Sequence, residues 1–173
     1  MSLLKLFKLS FILSFIFLAV TAIAQENAIG LRGGITPGIN FKSYQSNETA
    51  YELIIGKKDD GNLITGLFEF HEPASALLRE RFRYYYGFGC HLGYYRETNT
   101  YTVIDNQGNP YEEEDVRLYA AIGFDGIVGL EYRFITYPFS ASVDYKPYIN
   151  LFGPYRFVGK GLFDIGFSLK YMF

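Results

Sequence analysis

The sequence predicts an all-β protein, a closed antiparallel up-and-down transmembrane β-barrel of eight strands. Three observations predict it. Apolar and polar residues alternate with period two in one segment after another. Tyrosine (16), phenylalanine (17) and glycine (18) are abundant and tryptophan is absent, a composition that favours strands over helices. Beyond residue 24 no apolar run approaches the roughly 20 residues of a helical membrane span.

The first segment is an address. Lys5 and Lys8 give a positive start, and no charge occurs from Leu9 to Ala24. Ala22-Ile23-Ala24 is the small-x-small pattern of a signal-peptidase site, with Gln25 as the mature start. Residues 1–24 are therefore expected to be a cleaved signal peptide, and 25–173 a single barrel domain. A retained anchor is the rival reading, but the apolar stretch is short for a span.

The strand segments follow in order. In 29–42, Ile29, Leu31, Ile35, Ile39 and Phe41 oppose Gly30, Arg32, Gly34, Asn40 and Lys42, with Thr36-Pro37-Gly38 read as a bulge or bend. Segments 50–57 and 63–71 are weaker. In 81–96, Phe82, Tyr84, Tyr86, Phe88, Cys90, Leu92 and Tyr94 share one face. Segments 116–125 and 127–135 alternate in the same way and are separated by Asp125-Gly126, a hairpin-type dipeptide. Segment 139–147 is weak. The last, 163–173, is the clearest, with Phe163, Ile165, Phe167, Leu169, Tyr171 and Phe173 on one face. Asp59-Asp60-Gly61-Asn62, Asn106-Gln107-Gly108-Asn109 and Tyr137-Pro138 mark further turns.

A tilted strand needs about 9–11 residues to cross a bilayer, and segments of this order recur eight times. Eight is the smallest usual closure, and its lumen is only wide enough for side chains. Glycines at 30, 34, 87, 89, 93, 123, 129 and 166 lie on the polar face, as a narrow lumen requires. Among them stand Arg32, Glu52, Glu69, Arg83, Arg117, Glu131, Arg133, Asp144, Asp164 and Lys170, read as a paired lumen network. A soluble, lipocalin-like periplasmic barrel would turn the aromatic face inward and leave this glycine facing solvent. One conflict stands in the eight-strand reading. With both termini periplasmic, the long 97–115 connection falls on that same side, where turns are usually short. Ten strands are the alternative.

The C-terminal strand, with Leu169, Tyr171 and the final Phe173 at alternating positions, resembles the insertion signal of bacterial outer-membrane proteins. The stretches from Ile29 to Gly34, Gly126 to Phe134 and Ser142 to Pro147 look like the small outer-membrane β-barrel proteins of Bacteroidota. That resemblance implies the outer membrane as location, outer-membrane lipids as surroundings and the barrel assembly machinery as a transient partner. It implies architecture and no activity.

Function is bounded from several sides. The chain carries 16 basic and 18 acidic residues, and losing Lys5 and Lys8 leaves 14 against 18, a net charge of −4. That speaks against nucleic acid as a partner. The one cysteine, Cys90, allows no internal disulfide. His71 with Glu69 and Ser75 is the sole candidate for lipid chemistry and matches no motif, while His91 reads as a lumen filler. Glu112-Glu113-Glu114-Asp115 reads as a solvated loop, since its glycine spacing fits no calcium loop. Tyr44, Tyr51, Tyr94, Tyr132, Tyr137 and Tyr171 suit an aromatic girdle. The expectation is a monomeric, non-enzymatic barrel with a structural or surface-interaction role. No catalytic residue, metal or cofactor is assigned. A lipid-modifying enzyme and a narrow channel are the alternatives.

Overall fold

The computed structural model describes residues 26–58, 61–74, 81–104, 110–152 and 162–173. The signal segment 1–24, its cleavage residues Ala22, Ala24 and Gln25, and Ser75 lie outside the described residues.

The strands are β1 (Asn27–Gly34), β2 (Gly38–Tyr44), β3 (Thr49–Lys58), β4 (Gly61–Pro73), β5 (Phe82–Ile104), β6 (Pro110–Arg133), β7 (Phe139–Tyr145), β8 (Tyr148–Asn150) and β9 (Ile165–Met172). Each pairs antiparallel with its neighbours, and β9 pairs back onto β1 to close the sheet. β7 and β8 both lie against β6 in one unbroken register, Val128 opposite Tyr145 and Asp125 opposite Tyr148. They are two halves of one strand interrupted at Lys146-Pro147, where the proline has no N–H to give to the ladder. The result is an eight-stranded up-and-down barrel.

The count of eight agrees with the sequence reading, but Glu112–Asp115, read as a solvated loop, is strand paired with Asn99–Thr102, and two further boundaries differ. Segment 29–42 is a hairpin, not one bent strand: β1 turns at Ile35–Pro37 and returns as β2, Leu31 opposite Ile39. Gly34 has φ = 118° at this turn, a conformation that L side chains rarely adopt. Conversely, Asp125-Gly126 is no turn. β6 runs through it, with Asp125 opposite both Gly89 and Tyr148. Splitting the first segment also reverses the side assigned to the long connection. One rim, here the near rim, carries Asn27 and Phe173, joined by reciprocal backbone bonds of 2.9 and 2.8 Å. The β5–β6 connection stands on the opposite, far rim, so the conflict that suggested ten strands disappears.

β5 and β6 are far longer than the rest, at 23 and 24 residues. β4 accompanies β5 only to the Asn62–Tyr94 pair, and β8 accompanies β6 only to Gly123. Beyond those points, 95–104 and 110–119 pair with each other alone. At about 3.4 Å per residue this two-stranded ribbon rises roughly 30 Å above the far rim.

Alternation sorts the barrel wall cleanly. Leu31 (69 % exposed), Phe88 (62 %), Phe124 (63 %) and Phe167 (63 %) typify an outward face that is apolar on every strand. The inward face is polar and buried. Three small apolar clusters interrupt it: Ala28 with Tyr44 and Ala50; Ile54 with Leu67, Tyr85 and Ile127; and Leu63 with Tyr95, Ala121 and Tyr148. This is the inverse of a soluble barrel with an apolar interior.

Candidate functional site

The chemistry of the molecule is concentrated in the lumen, in two tiers. The tier toward the near rim centres on Lys42 of β2. Its Nζ lies 2.7 Å from Glu69, 3.3 Å from Glu52 and 3.9 Å from Glu131. β3, β4 and β6 each contribute one of these carboxylates, so one ammonium ties together four strands of the wall. Lys170 of β9 reaches Glu52 at 3.4 Å and donates to Ser142 Oγ at 3.1 Å. Asn40 Nδ2 donates to Glu52 at 2.7 Å, the Tyr44 hydroxyl donates to Glu131 at 2.8 Å, and Arg133 pairs with Glu131 at 2.9 Å. His71 bonds Glu69 through Nε2 at 3.0 Å and stacks on Tyr85 with ring centroids 5.2 Å apart. Lys42 sits 4.3 Å from the centroid of that same Tyr85 ring.

The tier toward the far rim is built on Arg32 and Lys146. Arg32 meets Asp144 at 2.7 Å and Asp164 at 3.5 Å. Lys146 meets Asp125 at 3.2 Å and Asp164 at 3.1 Å. His91 joins Asp125 through Nδ1 (2.7 Å) and Asn150 through Nε2 (2.9 Å).

Burying so many charges is costly unless each keeps several partners, because desolvation outweighs a single ion pair in a low-dielectric interior. Here each central cation meets at least two carboxylates, and side-chain donors supplement the pairs. Glycines make the room. A Cβ at Gly166 would fall on the Arg32 guanidinium, one at Gly123 within 2.7 Å of the His91 ring, and one at Gly129 against the Tyr85 ring. The glycine-rich inward face and the long polar side chains are thus one packing solution: a bare stretch of one strand accommodates the long side chain of another. Lys42, Lys146, Lys170, Tyr85, His71 and His91 are all among the largest fully buried side chains. The arrangement is a cross-linked polar plug.

Of the residues read from the sequence as a lumen network, Arg32, Glu52, Glu69, Glu131, Arg133, Asp144, Asp164 and Lys170 lie together in it. Two do not. Arg83 is at the near rim and donates to the Asn47 carbonyl. Arg117 is on the ribbon, its side chain 58 % exposed and paired with Asp115 at 2.8 Å, a contact that holds its guanidinium above the ordinary range. Its parity is that of the lumen face, but the barrel has ended below it. Tyr44 belongs to the lumen and not to a girdle, at 4 % exposed. Tyr51, Tyr94, Tyr137 and Tyr171 face outward and are exposed. Leu169, Tyr171 and Phe173 also face outward, on the closing strand.

Sequence reasoning passed over Lys42, Asp125 and Lys146, the hubs of both tiers. Asp125 falls in the apparent turn Asp125-Gly126, and Lys146 in the segment 139–147, where alternation is weak. Lys42 carried the right parity, and only the register that sets it opposite Glu52 reveals its role.

Fold and lumen together define a closed eight-stranded antiparallel barrel with a charged interior and an apolar exterior. No protein-family model matches this chain, and no curated protein matches it. Among solved structures, it is similar to the N-terminal β-barrel domain of Pseudomonas aeruginosa OprF, at 18 % identity, covering 86 % of this chain and 96 % of that one, with a TM-score of 0.45.

Proposed function

We propose that this chain is an integral outer-membrane β-barrel, exported behind a cleaved 1–24 signal, with a structural or surface-interaction role and no enzymatic one. The observation that carries the reading is the reversal of polarity across the wall: apolar side chains exposed on all eight strands, charges paired within. Hydrocarbon tolerates β structure only where every backbone group is paired, which closure of β9 on β1 achieves. β4, at 13 residues, is long enough to cross a bilayer at the usual tilt of about 40°. Leu169, Tyr171 and Phe173 serve as the insertion signal read by the barrel assembly machinery. The stretches quoted above carry the affiliation with Bacteroidota. The surface role is supported by the ribbon, which stands on the rim opposite Asn27 and Phe173 and presents Glu112–Asp115 to solvent. The plug, with its hubs fully buried, supports a closed barrel over a channel, and Glu69 and His71 lie inside it, away from the lipid-facing wall.

Gel mobility of the outer-membrane fraction, boiled against unboiled, tests the reading. A closed barrel resists detergent until heated, so two mobilities and recovery in the outer membrane are expected. Recovery in the soluble periplasm with a single mobility overturns it.

A further inference from the structure

We propose that the outer wall at β3–β5 binds one lipid with an ammonium head group, its acyl chain in a furrow at Gly66 and its head at Glu72 by the near rim. The proposal rests on the membrane reading above.

The furrow is a hollow of about 430 Å³ bordered by Phe41, Tyr51, Leu53, Phe68 and Phe88, with Gly66 as its floor. Gly66 faces outward, between Leu53 and Cys90 in register. A Cβ there would meet nothing within 4 Å. The glycine is therefore not making room for a neighbouring side chain, as the lumen glycines do. It leaves a slot among the large apolar residues around it.

The second hollow, about 350 Å³, lies further along the same strands, where Glu48, Phe70, Glu72, Pro73 and Tyr86 line it. The hydroxyls of Tyr84 and Tyr86 both donate to Glu72. Among the described residues neither Glu48 nor Glu72 has an ion-pair partner. Phe70 and Tyr86 stack with centroids 5.5 Å apart and offer aromatic faces beside the carboxylates. Carboxylates flanked by aromatic faces together suit an ammonium cation.

The two hollows are joined by aromatic contacts, Tyr51 on Phe68 at 5.1 Å and Phe68 on Phe70 at 4.9 Å. Gly66 and Glu72 are six residues apart on β4, roughly 20 Å along the strand. At a tilt of about 40° that spans about 15 Å of bilayer depth, half of a typical hydrocarbon core. A chain lying in the furrow thus brings its own head group to Glu72.

The test is native mass spectrometry of the full chain released from vesicles of equal parts phosphatidylethanolamine and phosphatidylglycerol, with heat-dependent gel mobility recorded for each sample. The wild type is expected to retain phosphatidylethanolamine over phosphatidylglycerol by about fivefold, the scale of one cation–π contact. Glu72→Gln abolishes the preference, Gly66→Leu loses both lipids, and Gly33→Leu, on the outward face of β1, changes neither. Equal retention of the two lipids by the wild type, or an unaltered preference in Glu72→Gln, overturns the proposal. A chain that fails to enter vesicles and shows one mobility overturns the membrane reading instead.

Discussion

The same two strands, β5 and β6, live in two environments. Below Tyr94 they are flanked by β4 and by β7–β8; above it they have only each other. Both halves alternate, but the alternation means different things. In the barrel half, glycines at 87, 89, 93, 123 and 129 are among the inward residues, and the outward ones are mostly aromatic or aliphatic, with Cys90 and Gly126 apart. In the ribbon half, 95–104 and 110–119 contain no glycine, and threonines and acids appear on the faces instead. Glycine tracks the lumen because only there must a strand yield space to another strand's side chain. Where the ribbon leaves the barrel that demand ends, and side chains return.

The two halves should therefore respond to substitution very differently. The largest effect is expected at Lys42→Met. It leaves three buried carboxylates without their common cation, a loss of about 3–5 kcal/mol on the scale of broken buried pairs, read as a fall in the urea midpoint for loss of the unboiled gel band. Gly166→Val comes next. Its side chain collides with the Arg32 guanidinium, and overpacking of this kind costs about 1–3 kcal/mol in the same assay. Replacing 96–118 by Asn-Gly, which joins Tyr95 to Tyr119 through a two-residue turn, should move the midpoint by less than about 0.5 kcal/mol, because the ribbon contributes nothing to closure. The smallest effect belongs to Arg117→Ala, whose exposed pair with Asp115 should leave the midpoint unchanged. A ribbon excision as damaging as Lys42→Met would erase the contrast between the two halves.

The architecture was legible because period-two alternation survives whatever the register. The boundaries were harder, for a reason visible at two places. Across Ile35–Pro37 the odd-numbered residues stay outward on both sides of a true turn, Leu31 facing Ile39. Across Asp125-Gly126 the even-numbered residues stay outward with no turn, Phe124 and Val128 alike. Phase continuity cannot separate these cases. The errors cancelled in the strand count and not in the side of the long hairpin. The lumen hubs were hidden for a related reason. Parity tells which face a charge is on, but partners come from register, and Lys42 reaches carboxylates on three other strands. Arg117 shows the limit of parity from the other direction, since a residue can keep the lumen's phase after the lumen has ended.

The reciprocal bonds between Asn27 and Phe173 also bear on time. They join the two extremes of the described chain, so the ring cannot shut until its final strand is available. Until the ring shuts, β1 and β9 each present a bare edge, and the remaining ladders are hairpins of neighbouring strands that can form early. Such a folding order has low-cost local steps and one late, long-range step, the kind that slows a reaction as sequence separation grows. Whatever escorts the chain to its destination must therefore hold an open sheet with two adhesive margins.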